Sequence, residues 1–238
     1  MIDIKILTAY PEMFPGSLEH SLMGKALEKN IFTIQTINLH DFGIDGRKSV
    51  DDEPFGGGPG MILRPDVVEK ALLSVSKKEY PNSSKIYLTP SGTLLNQEKL
   101  QILSKLDQII ILCGRFEGVD QRAIEVLGFE ELSIGDYVLA GGEIAAQVLL
   151  EGCIRLIPGV LGHPESLLEE SFSDNLIEYP HYTRPKVWED SLGNKHDVPE
   201  VLTSGHHDNI KKWRLNKSVE KTKKVRPDLF FKKEQEQD

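Results

Sequence analysis

Apolar and polar residues alternate from the first positions of the chain. Ile2, Ile4 and Ile6 recur at every second residue, a period that predicts a strand. Residues Leu18 to Lys29 switch to helical spacing, and Ile31 to Leu39 alternates again. His40 to Gly60 is rich in turn formers. Asp66 to Ser76 reads as a helix, and Lys85 to Thr89 as a short strand ended by Pro90. Gln97 to Leu106 is helical. Gln108 to Cys113 is a continuous apolar run of the kind that fills the centre of a parallel sheet. Arg122 to Leu127 and Glu143 to Leu156 complete the series as helices. Strands alternating with helices predict an α/β fold with a mostly parallel sheet.

The pattern lapses between Pro158 and Ser173, where Pro158, Gly159, Gly162, Pro164 and several acids predict an exposed linker. Beyond it, Leu176 to Asp238 shows no strand-like period. His206 to Lys224 reads as a helix with Ile210, Trp213, Leu215 and Val219 beside a basic face. The expected organisation is an α/β body over 1–160, a linker over 161–175 and a small α-helical C-terminal domain over 176–238.

Composition changes this picture at a few points. The chain has 238 residues, 39% of them hydrophobic, enough for a real core. No apolar run is long enough to span a bilayer, and the N-terminus shows strand alternation in place of a signal peptide. Cys113 and Cys153 are too few for a disulfide framework and sit in apolar runs, so the expected setting is a reducing cytoplasm. The net charge of −9 argues against nucleic acid as a partner. The charge is unevenly placed, however. Lys and Arg crowd residues 211–233, opposed there only by Glu220 and Asp228, which makes a candidate phosphate-contacting surface; the plainer alternative is a solvated helix face.

Glycine concentrates in four segments: Phe55 to Met61, Tyr87 to Gly92, Cys113 to Asp120 and Ser133 to Glu143. The first lacks the Gly-Lys-Ser/Thr of a phosphate-binding loop and the spacing of a dinucleotide fingerprint. The other three fall at predicted strand ends, where open α/β sheets bind ligands. A single such loop is merely a tight turn. Three of them, with Asp136 and Glu143 set among Gly135, Gly141 and Gly142, point to a ligand site.

Six segments carry a specific resemblance: Asp51 to Met61, Cys113 to Gly118, Ser133 to Glu143, Arg155 to Gly162, Pro180 to Pro185 and Ser204 to His207. Together they resemble the bacterial tRNA (guanine-N1)-methyltransferase family, the TrmD type, in order along nearly the whole chain. The resemblance implies a SPOUT-type fold whose α/β domain holds a trefoil knot, an exception to the usual avoidance of threaded chains. It implies a homodimer with each active site shared between subunits. The implied reaction moves a methyl group from S-adenosyl-L-methionine to N1 of the guanine at tRNA nucleotide 37, beside the anticodon.

Carried over position by position, the resemblance makes three loops the cofactor site: Tyr87, Leu88, Thr89 and Pro90; Gly114, Glu117 and Gly118; and Ser133, Ile134, Gly135, Asp136, Tyr137, Val138, Leu139, Gly141 and Gly142. Guanine N1 is protonated at neutral pH, so transfer needs a base for its proton and a donor for the charge that moves onto O6. Arg155 matches the family arginine for O6. Glu170 stands where the family often has an aspartate, and Glu169 is its neighbouring stand-in. Arg47, Lys48, Asp51 and Asp52 are expected on the RNA side of the pocket, and Glu178 at the edge of the adjoining guanine. His206, Lys211, Lys212 and Arg214 are expected to meet tRNA. His206 and His207 lack a third ligand at zinc-like spacing, so helix capping or RNA contact is the expectation for them. Phe116 replaces a frequent tyrosine and Thr89 a frequent serine. Mg2+ is implied as a participant, although the sequence contains no dedicated metal cage.

Two other readings compete. A related knotted enzyme acting on ribose or ribosomal RNA would leave Arg155 and Glu170 idle, because no N1 proton has to leave. A non-catalytic RNA-binding module would need the basic helix but not three cofactor loops.

Overall fold

The structure, a computed structural model, describes residues 1–75, 80–162 and 170–235. The chain divides into two compact units, Met1–Gly162 and His163–Asp238.

The first unit is built on a five-stranded parallel sheet in the order β2-β1-β6-β5-β7. Its strands are β1 (Ile2–Thr8), β2 (Phe32–Asn38), β5 (Ser83–Leu94), β6 (Gln108–Cys113) and β7 (Glu130–Ser133). Every residue of β6 is buried, which explains its unbroken apolar run: it has neighbours on both edges and helices on both faces. Alternate β6 side chains serve different layers. Ile109, Ile111 and Cys113 join one apolar cluster, while Ile110 and Leu112 join the other. The first cluster also takes residues of α1 (Ser21–Glu28), α3 (Gln97–Leu103) and α5 (Gly142–Ile154). The second takes α2 (Pro65–Val75) and α4 (Gln121–Leu127). Truncating fully buried Ile111 to Ala would cost about 2–5 kcal/mol, lost apolar transfer plus the cavity left behind.

The α/β reading with a parallel sheet therefore holds, with local corrections. The helix expected over Leu18 to Lys29 is broken: a short 3-10 turn, Gly16–Glu19, precedes α1, and Ser21 takes a left-handed φ of 54°. The turn-rich stretch contains a two-stranded antiparallel ladder of β3 (Asp51–Asp52) with β4 (Ile62–Leu63), which brackets the first glycine segment. The strand β5 does not stop at Pro90. Leu132 of β7 pairs with both Leu88 and Thr93, so the ladder shifts register across Pro90. Proline lacks an N–H, and a register shift is where a strand can do without one. The strand end expected at Ser133 belongs to β7, four residues whose acidic start, Glu130-Glu131, gives no apolar alternation.

The second unit corrects the purely helical expectation. It contains α6 (His207–Val225) and α7 (Pro227–Gln235), and also an antiparallel hairpin of β8 (Val187–Glu189) and β9 (Lys195–Asp197). All six hairpin residues are exposed, so no burial alternation marks them in sequence. In α6 the buried positions are Ser218 and Thr222, one turn apart, whereas Leu215 is exposed. Segment 163–169, inside the expected linker, lies outside the described residues, as does Glu169.

Candidate active site

Strands β6, β5 and β7 are neighbours and run parallel, so the loops leaving their C-terminal ends emerge at one edge of the sheet. They enclose a cavity of about 210 Å³. Its walls include Tyr87, Leu88, Thr89 and Pro90 from β5, and Gly114, Glu117 and Gly118 after β6. After β7 come Ser133, Ile134, Gly135, Tyr137, Val138, Leu139, Gly141 and Gly142. Of the residues expected at the cofactor site, Asp136 alone is not part of the wall; it is exposed. Arg115, Phe116, Leu132, Ala140 and Ala145 line the cavity as well.

Each loop is fixed by local bonding. Ser133 Oγ donates to the Gly135 carbonyl at 3.1 Å and accepts the Gly135 N–H at 3.2 Å. Tyr137 Oη donates to the Ile134 carbonyl at 3.2 Å. The Gly142 N–H donates to the Gly114 carbonyl at 2.9 Å. The chain leaving edge strand β7 thus starts α5 against the end of β6, on the far side of β5. Burial pushes the Tyr87 phenol above its usual value, so it stays a neutral donor.

Two glycines are required by close approach. A Cβ on Gly114 would come within 2.8 Å of the Tyr87 ring, and one on Gly141 within 2.4 Å of Arg115 Nε. Arg115 is the centre of a network the sequence did not reveal. Its Nε lies 2.9 Å from Oε2 of Glu143, a carboxylate with no solvent exposure in the first turn of α5. The approach falls outside hydrogen-bond geometry, so it acts as an ion pair. Glu143 Oε1 accepts from the Thr8 hydroxyl at 2.8 Å. The guanidinium stacks over the Tyr10 ring at 4.2 Å, and its Nη1 donates to the Ala140 carbonyl at 3.4 Å. The α5 N-terminus adds a favourable field for the carboxylate. The only hint in sequence was an arginine in one glycine loop and an acid closing another.

The residues expected to meet RNA lie in both units. Arg47 and Lys48 are exposed, and Lys48 Nζ is 3.7 Å from Asp41. Asp51 and Asp52 form β3, and Asp52 pairs with Arg64 at 2.6 Å. Arg155 follows α5 as its C-cap and is half-buried. In the second unit Glu170 is half-buried, and the Glu178 carboxylate meets His181 Nε2 at 2.8 Å. Lys211 and Lys212 are exposed on α6, while Arg214 is half-buried with its guanidinium 4.8 Å over the Tyr179 ring. His206 occupies the N-cap position of α6, but its ring makes no capping hydrogen bond, so the capping expectation fails for it. Among the described residues no group of three or more His, Cys, Asp or Glu is placed to hold a metal ion, and no helix is long and apolar enough to cross a membrane.

A parallel α/β sheet with a glycine-lined cavity at the ends of three adjacent strands defines a ligand-binding α/β protein. The family profile for tRNA (guanine-1)-methyltransferase, TrmD, matches residues 2–232. The chain is 50% identical to a tRNA (guanine-N(1)-)-methyltransferase of Rhodospirillum rubrum, covering 94% of this chain and 91% of that one. It is 50% identical to the protein of that name from Wolbachia pipientis (96% and 97% covered), and 51% identical to that of Wolbachia sp. subsp. Brugia malayi (97% and 96% covered). This chain belongs to the tRNA (guanine-N1)-methyltransferase family.

Proposed function

We propose that the protein methylates N1 of guanine 37 in tRNA with S-adenosyl-L-methionine as donor, in the cytoplasm, as a homodimer whose active sites are shared between subunits. Family membership across residues 2–232 carries the reading. Glycine-lined loops at the sheet edge support the choice of donor: Leu88, Leu132 and Ile134 offer apolar walls for a flat adenine, and Gly114 and Gly141 let the Tyr87 ring and the Arg115 side chain pack directly against the loop backbone. Glu117 offers a carboxylate for the ammonium of an amino-acid tail. The proposed trefoil knot draws support from the path of the chain after β7, which crosses β5 to pack α5 on β6.

When bound, the donor supplies a methyl group on a sulfonium, which must lie in line with the attacking nitrogen. The 134–141 loop and Tyr87 orient it. Glu170 takes the N1 proton, and Arg155 donates to O6 as charge builds there. Glu178 accepts from the N1–H and N2–H2 of the neighbouring guanine, and the Lys and Arg of α6 contact phosphates. No step is assigned to Mg2+.

The test is transfer from labelled S-adenosyl-L-methionine to unmodified transcripts carrying guanine or adenine at nucleotide 37. Label in the guanine transcript alone is expected. No transfer, or equal transfer to both, refutes the reading.

A further inference from the structure

The stretch from Glu170 to Glu178 is closed on itself and tied to α6. The Ile177 N–H donates to Thr222 Oγ1 at 2.8 Å, and that hydroxyl donates to the Ser218 carbonyl at 2.7 Å. Thr222 is fully buried on a helix whose outer face is basic. The Glu178 N–H donates to Ser171 Oγ at 3.1 Å, and Lys221 Nζ donates to the Glu178 carbonyl at 3.2 Å. Inside the loop the Phe172 N–H donates to the Leu176 carbonyl at 2.7 Å. Phe172, Asp174 and Asn175 all hold left-handed φ angles, of 76°, 51° and 55°. Asp and Asn reach that conformation readily, whereas a bulky residue such as Phe172 holds it only where the surroundings impose it. Ser171, which accepts the Glu178 N–H, is the residue directly after Glu170.

We propose that Thr222 and Ser171 are positioning residues: they hold Glu170 and Glu178 as one preformed clasp on α6, so that base and guanine-reading acid meet the substrate in fixed relation. The proposal rests on the roles given above to those two carboxylates. Its physical content is entropic. A loop ordered on folding does not have to be ordered during methyl transfer, and a base that wanders from its proton loses rate steeply. Thr222 performs two tasks that valine, of the same shape, cannot: it accepts the Ile177 N–H and donates to Ser218.

The experiment compares Thr222→Val, Thr222→Ser, Ser171→Ala and Glu170→Gln in the full chain, with a guanine-37 transcript. Single-turnover transfer, KM for tRNA and calorimetric binding of S-adenosyl-L-methionine are measured for each. Thr222→Val is expected to slow transfer about 10- to 100-fold. KM for tRNA should stay within about 2-fold and donor binding should be unchanged; Thr222→Ser should restore most of the rate. Ser171→Ala, at a half-buried site, should lower the rate in the same manner and decides the matter if Thr222→Val unfolds the second unit. An unchanged rate in the folded variants overturns the clasp, as does a loss carried by KM or a Thr222→Ser variant as slow as valine. The two layers separate: Glu170→Gln with full turnover refutes the assigned base, whereas an inactive Glu170→Gln beside fully active Thr222→Val and Ser171→Ala refutes only the clasp.

Discussion

Arg115 Nε and Glu143 Oε2 lie 2.9 Å apart, the arginine in the cavity wall and the carboxylate wholly out of solvent. The arginine side chain keeps only 19% exposure, so neither charge has water as a full alternative. Removing one partner strands the other. Glu143→Ala is therefore expected to lower unfolding free energy by about 3–5 kcal/mol, read from urea denaturation. Because Arg115 also holds the Ala140 carbonyl, donor affinity should fall with it.

Gly114→Ala places a methyl 2.8 Å from the Tyr87 ring, which is itself buried. The ring must shift into the cavity, at a cost of about 1–3 kcal/mol. Calorimetry should show donor binding weakened about 10-fold or more. Gly114→Ala with unchanged affinity would place the donor elsewhere.

Arg155→Ala and Glu170→Ala should each lose about 10²- to 10⁴-fold in single-turnover rate while donor binding persists. A normal rate for Glu170→Ala would mean that another group takes the N1 proton.

Burial pushes the Cys153 thiol up to about 12 from an ordinary 9.0. Above 9.0 the unfolded chain gives up a proton that the folded chain keeps. The contribution is therefore intact below 9.0 and shrinks as pH rises toward 12, by about 1.4 kcal/mol per pH unit. Urea titrations above pH 9 should show a steeper loss for the native chain than for Cys153→Ala. Thiol reagents should label Cys113 and Cys153 only after denaturant opens the core, since burial raises both thiols.

Asp190 sits at the tip of the β8–β9 hairpin and is lowered to about 2, chiefly by the His196 hydrogen bond and then by Asn194. Its depressed value stabilises the hairpin above 3.8, and that support is lost as pH falls through about 2. Trp188 packs 5.1 Å from the His196 ring, so its fluorescence should change through that window. Asp190→Ala should abolish the transition.

Much of the fold was legible because burial leaves a period. Ile2, Ile4 and Ile6 alternate because they face one core cluster while Asp3 and Lys5 between them stay half-buried, and Ile109 to Cys113 does not alternate because both faces are core. The cavity loops were legible as glycine at strand ends, and segments of the family resemblance fall in two of them. The hairpin left no period, since all its residues face solvent.

Sequence alone determined the α/β alternation, the helix α6 and the family, because each is written in local spacing or in ordered motifs. Only the tertiary structure decided that β5 runs on through Pro90, that Glu143 buries its charge against Arg115, and that Thr222 accepts the Ile177 N–H. Those facts depend on which distant segments the fold brings into contact. A hydrogen bond or ion pair between residues far apart in the chain leaves no period in either partner's neighbourhood.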